Sequence, residues 1–305
     1  MARVEVLPEN SRFPGLGEAE LAHDLATRLP RLVLEARRVA SNLTHGIHGR
    51  RRAGPGESFW QFRPFDSGEA ATRIDWRRSA RDGKLYVRER EWEAAQTIEL
   101  WIDRSISMAY ASDLATAPKV ERAIVLGLAL AEALVTAGER VGYMGRLSPR
   151  ASRRIGEQIA QTLASDTQDV NSDLPPHIPL KRRSEPLIIG DFLVALEQVE
   201  KTIASIASNG AYGHAILIVD PVEETFPFTG QTELVDPENG ARLYLGDAAS
   251  WGAEYRQRIA AHRDGLREIF TRHGFTMTIH HTDRPASEAA LRVLTLLASR
   301  RGRDD

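Results

Sequence analysis

Residues Ile98–Tyr110 read IELWIDRSISMAY. The first five are apolar apart from Glu99, and they have the length and the β-branched and aromatic content of a buried strand. The run ends at Asp103, and two hydroxyl side chains, Ser105 and Ser107, follow at alternate positions. A carboxylate and two hydroxyls on the loop after a strand are the hard oxygen ligands that Mg²⁺ or Mn²⁺ prefers. The stretch therefore predicts a strand with a candidate metal site at its carboxyl end.

Strands and helices alternate along the chain on the C-terminal side of this stretch. Apolar runs predict strands at residues 140–145, 187–190, 215–219 and 275–280. Helical periodicity predicts helices at residues 119–137, 152–164, 196–208, 255–273 and 288–299. This alternation predicts an α/β fold with a doubly wound, mostly parallel sheet, whose ligands bind beyond the carboxyl ends of the strands. Three aspartates follow apolar strands at that edge, namely Asp103, Asp191 and Asp220.

The N-terminal part of the chain has a different composition. Leucines at helical spacing predict a helix from Glu18 to about Ser41, and Pro30 is expected to begin or kink a second helix. Residues 53–92 combine aromatic side chains with turn glycines, which predicts an irregular, partly β segment. We therefore predict an N-terminal basic arm over residues 1–92 and an α/β domain over residues 93–305.

Charge is spread unevenly between these two parts. The stretch from Arg28 to Arg90 holds 15 Lys and Arg against 7 Asp and Glu, although the net charge of the whole chain is −2. Such an arm can bind nucleic acid, bind an acidic protein, or pack on the acidic remainder of its own chain. Acidic residues interleave with the arginines of Arg73–Arg81, which favours internal salt bridges, so nucleic acid is not the partner that we expect.

Several classes of function lack their sequence signals. The chain has no cysteine, which excludes disulfides and cysteine nucleophiles. It has no nucleophile elbow, no phosphate-binding loop and no His-Glu-x-x-His motif. It also lacks a run of roughly 18 apolar residues that would span a membrane, and its N-terminus lacks the apolar core of a signal peptide. We therefore expect a cytoplasmic protein that is not an enzyme.

Two sets of motifs resemble known families. Asp103–Met108, DRSISM, resembles the metal-ion-dependent adhesion site (MIDAS) of von Willebrand factor A domains. An upstream signature resembles domain-of-unknown-function family 58, whose members carry such an A domain on the C-terminal side. That signature comprises GPGESF (Gly54–Phe59), RPFDSG (Arg63–Gly68) and RIDWRRSAR (Arg73–Arg81). The resemblance runs from about residue 30 to residue 220 and implies a von Willebrand A-like fold for residues 93–305.

The resemblance also implies a set of metal ligands. The A-domain pattern needs a hydroxyl from a later loop, usually a threonine, and an aspartate at the end of a following strand. Ser172 stands in the place of the threonine, with Thr167 as a poorer alternative, and Asp191 matches the aspartate. The implied ligands of Mg²⁺ or Mn²⁺ are Asp103, Ser105, Ser107, Ser172 and Asp191. The alternative is a metal-free turn in which Asp103 accepts hydrogen bonds from the two serines.

The kind of partner is implied by the same resemblance. An open coordination position of the ion would accept a carboxylate from a protein partner. Relatives of this kind are commonly associated with MoxR-type AAA+ ATPases, so we expect an adaptor that couples such an ATPase to a client protein. Two alternatives stay open: a metal-dependent phosphohydrolase that uses Asp103 and Asp191, and a nucleic-acid binder that uses the basic arm.

Overall fold

The computed structural model describes residues 18–47, 59–90, 95–166, 172–178, 180, 184–208, 210–235 and 241–301. Within these ranges the chain forms two compact units, one comprising Met1–Gly46 with Gln96–Asp305 and the other Ile47–Ala95. The first helix thus belongs to the larger unit. Compactness alone does not define a domain, so the division into residues 1–92 and 93–305 stays a prediction.

The described residues form eight α-helices and ten β-strands. The helices are α1 (Glu18–Ile47), α2 (Trp76–Ser79), α3 (Lys119–Thr136), α4 (Ile155–Ser165), α5 (Leu196–Ala207), α6 (Pro221–Thr225), α7 (Gly252–Arg272) and α8 (Ala286–Arg301). The strands are β1 (Phe59–Pro64), β2 (Tyr86–Arg90), β3 (Thr97–Ile102), β4 (Arg140–Tyr143), β5 (Leu147–Arg150), β6 (Ser184–Gly190), β7 (His214–Val219), β8 (Thr232–Val235), β9 (Arg242–Leu245) and β10 (Thr276–His281). None of these helices is both long and apolar enough to cross a bilayer.

A six-stranded sheet lies at the centre of the larger unit. Its strand order is β10-β7-β6-β3-β4-β5. Every neighbouring pair is parallel except β4 and β5, which are antiparallel at one edge of the sheet. The predicted α/β class with a mostly parallel sheet is therefore confirmed. The sequence missed strand β5, which is short and half-exposed.

Helices cover both faces of this sheet. Side chains alternate between the two faces along a strand. Ile98, Leu100 and Ile102 of β3 pack into a core that includes residues of α1, α3, α4 and α8. Trp101 of the same strand packs into a second core with residues of α5 and α7. Burial on both faces explains why the central strands are almost continuously apolar in sequence.

Helix α1 differs from the prediction. A single helix of 30 residues runs through Pro30, so the expectation that this proline begins a second helix is wrong. A proline inside a helix costs about 3 kcal/mol. Tertiary packing offsets this cost, because Leu32 and Ala36 are buried in the core and Arg28 forms a 2.8 Å salt bridge with Glu121 of α3.

The smaller unit contains the irregular, partly β structure that its sequence predicts. Strands β1 and β2 pair antiparallel. Asp75 caps helix α2 by accepting a hydrogen bond from the backbone N–H of Arg78 at 3.0 Å. The Arg78 guanidinium lies 4.6 Å from the ring centroid of Tyr86 and donates to Asp82 at 2.9 Å. The arginine-rich segment thus contributes to the internal structure of this unit.

Strands β8 and β9 pair antiparallel in a separate two-stranded sheet of the larger unit. Residues 236–240, DPENG, have the composition of a hairpin turn, and they lie outside the described residues.

Candidate functional site

Three strands of the central sheet end in a buried aspartate. Asp103 follows β3, Asp191 follows β6 and Asp220 follows β7. The three strands are neighbours and run parallel, so their carboxyl ends meet at one edge of the sheet. The backbone N–H of Asp103 also donates to the carbonyl oxygen of Ile189 at 2.8 Å, which joins the ends of β3 and β6.

The structure brings Asp103, Ser105, Ser107 and Asp191 together through a continuous series of contacts. The backbone N–H of Ser105 donates to Asp103 Oδ1 at 2.8 Å, and Ser105 Oγ lies 3.1 Å from Ser107 Oγ. Ser107 Oγ then donates to Asp191 Oδ2 at 2.8 Å. Residues 106–109 form a short 3₁₀ turn that folds the second serine back toward β6. The sequence predicted this grouping, whereas the role of these residues as metal ligands stays a prediction.

Within the described part of the chain, one carboxylate oxygen of Asp103 has no hydrogen-bond partner. This oxygen is the Oδ2 atom, which is buried. Gly190 provides the room for this carboxylate, because a Cβ atom at that position would lie 2.9 Å from both Cβ and Oδ2 of Asp103. Burial, together with the charge of Asp191, raises the pKa of Asp103 to about 8. A nearby cation would stabilise the ionised form of this carboxyl group.

Asp191 has a donor for each of its oxygens. Its Oδ2 atom accepts from Ser107 and from the Lys119 ammonium, the latter at 2.8 Å. Its Oδ1 atom accepts from the backbone N–H of Leu193 at 3.2 Å. The two carboxylates of the cluster therefore differ, since among the described residues each oxygen of Asp191 has a donor and Oδ2 of Asp103 has none.

The residue after Asp191 has an unusual backbone conformation. Phe192 has a φ of 50°, in the left-handed region that favours glycine. Its ring is fully buried and packs edge-to-face on Phe270, with centroids 5.4 Å apart, and its carbonyl oxygen lies 2.9 Å from Nε2 of His262. Such strained residues are held by the surrounding packing and are concentrated at functional sites.

Sequence reasoning did not predict a buried cation at this site. Lys119, the first residue of α3, is fully buried, and its Nζ lies 2.8 Å from Asp191 Oδ2 and 2.6 Å from Glu223 Oε1. Burial acts to lower the pKa of Lys119, but the carboxylates of Asp191 and Glu223 outweigh it and raise the pKa above its ordinary value. Lys119 is therefore a charged ammonium inside the protein.

The loop before β6 presents Asp173 to the cluster. Burial raises the pKa of Asp173, and a hydrogen bond from the Ser105 side chain acts in the opposite direction. The neighbouring Ser172 donates its hydroxyl proton to the carbonyl oxygen of Leu174 at 2.5 Å, so this hydroxyl is engaged within its own loop. Thr167, the alternative ligand, lies outside the described residues.

Arg104 points toward α4. Its guanidinium donates to the carbonyl oxygens of Leu163 and Asp166, at 2.8 and 3.1 Å. A cation beside the last carbonyl groups of a helix is electrostatically favourable. Arg104 thus anchors the Asp103 loop from the side, and its bulk is compatible with the serine cluster.

Asp220 serves as a helix cap. Its Oδ1 atom accepts from Ser112 Oγ at 2.6 Å and from the backbone N–H of Val222 at 3.0 Å, and its Oδ2 atom accepts from the backbone N–H of Ser112 at 2.8 Å. Glu223 completes a capping box at the start of α6 by accepting from the backbone N–H of Asp220 at 2.9 Å. The function of Asp220 is therefore structural.

The oxygens of the cluster fit a small hard cation. In the described part of the chain, no group of three or more His, Cys, Asp or Glu side chains is arranged to hold a metal ion. The candidate donor set instead combines the carboxylates of Asp103 and Asp191 with the hydroxyls of Ser105 and Ser107. Mg²⁺ needs few protein ligands because it retains several waters, and it prefers such oxygen donors. The open Oδ2 atom of Asp103 is the oxygen that a cation would satisfy.

The fold and this cluster define an α/β protein with a buried acidic and hydroxyl-bearing site at the edge of a parallel sheet. The family model described as "Protein of unknown function DUF58" matches residues 61–265. The chain belongs to the DUF58 family. It is similar to an uncharacterized protein of Mycobacterium bovis and to uncharacterized proteins of two Mycobacterium tuberculosis strains. Each is 26% identical over 277 residues, which cover 85% of this chain and 86% of the relative. No solved structure matches the chain at a significant level.

Proposed function

We propose that this chain is a non-enzymatic, metal-dependent protein-binding adaptor with a von Willebrand A-like fold and a MIDAS-like site. The observation that carries the proposal is the buried Oδ2 atom of Asp103, which has no hydrogen-bond partner among the described residues. Leaving a buried carboxylate oxygen unsatisfied is costly. A divalent cation held by Asp103, Ser105, Ser107 and Asp191 would remove that cost.

The orientation of Ser107 supports an ion at this position. Its proton is donated to Asp191 Oδ2, so the lone pairs of its oxygen are directed away from that carboxylate. Ser105 Oγ lies 3.1 Å away and brings a second hydroxyl oxygen to the same place. An ion held by these residues, Mg²⁺ or Mn²⁺, would supply the positive charge to which an acidic side chain of a partner binds.

Topology supports the von Willebrand A-like part of the proposal. The DRSISM motif follows β3, an interior strand of the sheet, and Asp191 follows β6, which pairs with it in parallel. These are the positions at which the resemblance requires the first motif and the later aspartate. The helices on both faces of the sheet fit the same fold.

We further propose that the partner is a MoxR-type AAA+ ATPase or its client protein. The support for this partner is the resemblance of the motifs to those of proteins associated with such ATPases. The site adds a chemical requirement, because the partner must present an Asp or Glu side chain or a C-terminal carboxylate to the ion.

The proposal is tested by a pull-down of a purified MoxR-type ATPase on the immobilised chain, with Mg²⁺ and with EDTA. We expect capture with Mg²⁺ alone and loss of capture in Asp103→Asn. The matched control is Asp113→Asn, the same substitution at an exposed position. Capture that persists in EDTA, or in Asp103→Asn, would contradict the proposal. Hydrolysis of a phosphate ester with Mn²⁺ present would favour the phosphohydrolase instead.

A further inference from the structure

Lys119 carries a buried charge that the proposed adaptor function does not explain. Its side chain is enclosed between Asp191 and Glu223, and its Nζ lies 5.9 Å from the centroid of the Tyr110 ring. Taking an ammonium group out of water costs several kcal/mol unless partners compensate. Two carboxylates within hydrogen-bond distance provide that compensation, so the ammonium is a fixed part of the site.

The position of this ammonium fixes the charge that an entering ion meets. When ionised, the carboxylates of Asp103, Asp173, Asp191 and Glu223 contribute four negative charges, and Lys119 contributes one positive charge. Their sum is −3, and without the lysine it would be −4. The ammonium therefore lowers by one unit the negative charge that attracts an ion, and it does so in direct contact with Asp191.

We infer that Lys119 is a built-in counter-cation that limits the affinity of the site for metal ions and favours divalent over trivalent ions. The inference rests on the proposed metal-dependent function. The ammonium and a metal ion share the carboxylate of Asp191, so each repels the other at short range in a medium of low dielectric constant. This repulsion grows in proportion to the charge of the ion, and it therefore discriminates against trivalent ions.

A purely structural role for Lys119 predicts the opposite result. If the lysine only held the Asp191 loop and helix α6 in place, its removal would loosen Asp191 and weaken metal binding. If it acts as a counter-cation, its removal relieves repulsion and strengthens metal binding. The sign of the change in affinity separates the two roles.

The experiment is a calorimetric titration of the folded full-length protein with Mn²⁺ and with Tb³⁺. For Lys119→Met we expect Mn²⁺ to bind about tenfold more tightly, and Tb³⁺ to gain more than Mn²⁺. Lys201→Met makes the same substitution at an exposed position of α5 and is expected to leave both affinities unchanged. Equal or weaker binding of both ions by Lys119→Met would overturn the inference.

A second variant covers the case in which Lys119→Met does not fold. Combining it with Glu223→Gln removes the carboxylate that would otherwise be buried without a counter-charge. The glutamine still completes the capping box of α6. Because the lysine contacts Asp191 directly, whereas Glu223 contacts the lysine, we expect this double variant to bind Mn²⁺ more tightly than the wild type. Failure to do so would count against the inference in the same way.

Asp103→Asn separates this inference from the proposed function. If the wild type binds Mn²⁺ and Asp103→Asn does not, the metal site stands even when the lysine variants show no gain, and only the inference fails. If neither the wild type nor the lysine variants bind Mn²⁺, the metal site itself fails and the inference fails with it. If the wild type binds Mn²⁺ weakly and Lys119→Met binds it more tightly, the result supports both the metal site and the inference about Lys119.

Discussion

Asp103 and Asp220 stand at equivalent points of the fold and have opposite surroundings. Each follows an apolar parallel strand at the same edge of the sheet, and each is completely buried. Asp220 accepts three hydrogen bonds, two from Ser112 and one from Val222, which fill both of its oxygens. Asp103 accepts the backbone N–H of Ser105 at Oδ1, and its Oδ2 is left without a partner among the described residues.

The difference shows how one sequence pattern serves two purposes. After β7 the Asp220 carboxylate stabilises the fold, because it holds the Ser112 loop against the start of α6. After β3 the Asp103 carboxylate has an acceptor oxygen for which the described residues supply no donor. An unsatisfied buried acceptor costs about 1–3 kcal/mol, so it is retained where a ligand offsets the cost. Removing each carboxylate in turn tests this contrast.

The largest expected effect on stability is that of Asp220→Ala. The substitution removes three hydrogen bonds to a charged acceptor, one of which caps helix α6, so we expect the free energy of unfolding to fall by about 3 kcal/mol. Urea denaturation in EDTA measures the change. A loss below about 1 kcal/mol would mean that the loop does not depend on this carboxylate.

Asp103→Asn, in contrast to Asp220→Ala, is not expected to lower the free energy of unfolding. In EDTA the amide replaces a carboxyl group that is buried without a cation, so we expect the free energy of unfolding to be unchanged or to rise by about 1 kcal/mol. Saturating Mg²⁺ is expected to stabilise the wild type and to leave the variant unaffected, because only the wild type is proposed to bind the ion. A variant that loses stability in EDTA would make Asp103 a structural residue like Asp220.

The pH dependence of stability in EDTA provides a third test. The pKa of Asp103 is about 8 in the folded protein and 3.8 in the absence of the fold, so the folded state holds the extra proton between these values. The contribution of Asp103 to the free energy of unfolding is fully present below the unfolded-state pKa of 3.8. It is lost as the pH rises through the folded-state pKa of about 8. We therefore expect wild-type stability in EDTA to fall over this range, relative to Asp103→Asn.

Parallel curves for the wild type and Asp103→Asn would show that Asp103 is ionised in the metal-free protein. Saturating Mg²⁺ is expected to make the stability of the wild type vary with pH as that of Asp103→Asn does, because an adjacent cation favours the ionised carboxylate.

The smallest expected effect is that of Ser172→Ala on the affinity for Mn²⁺. The Ser172 hydroxyl donates a hydrogen bond to the carbonyl oxygen of Leu174, so we expect the affinity for Mn²⁺ to change by less than about threefold. Asp173→Asn is expected to weaken binding by about threefold to tenfold, because a charge beside Ser105 is lost. Calorimetric titration with Mn²⁺ measures both. A larger loss in Ser172→Ala than in Asp173→Asn would establish Ser172 as a ligand.

Part of this structure follows directly from the sequence. The central strands are recognisable because burial on both faces makes them continuously apolar. Asp103 and Asp191 are expected to meet because the carboxyl ends of neighbouring parallel strands lie at one edge. The alternate spacing of Ser105 and Ser107 after Asp103 predicts that both hydroxyls lie at that edge.

Other features depend on tertiary contacts that local patterns do not encode. A lysine at the first position of a helix is ordinarily solvated, and only the packing of β6 and α6 around Lys119 makes it a buried ion. Pro30 predicts a helix boundary, yet the packing of α1 on the core carries the helix through it. Sequence reasoning selected Ser172 from the spacing of its motif, whereas the loop conformation turns its neighbour Asp173 toward Ser105.

The proposed metal site requires a divalent cation beside Oδ2 of Asp103. Crystals grown with Mn²⁺ and measured near its absorption edge provide the sharpest test, because manganese gives an anomalous signal that water does not. We expect an anomalous peak roughly 2 Å from ligand oxygens among Asp103 Oδ2, Ser105 Oγ and Ser107 Oγ. A map with no peak at these atoms, in crystals that contain Mn²⁺ at saturating concentration, would contradict it.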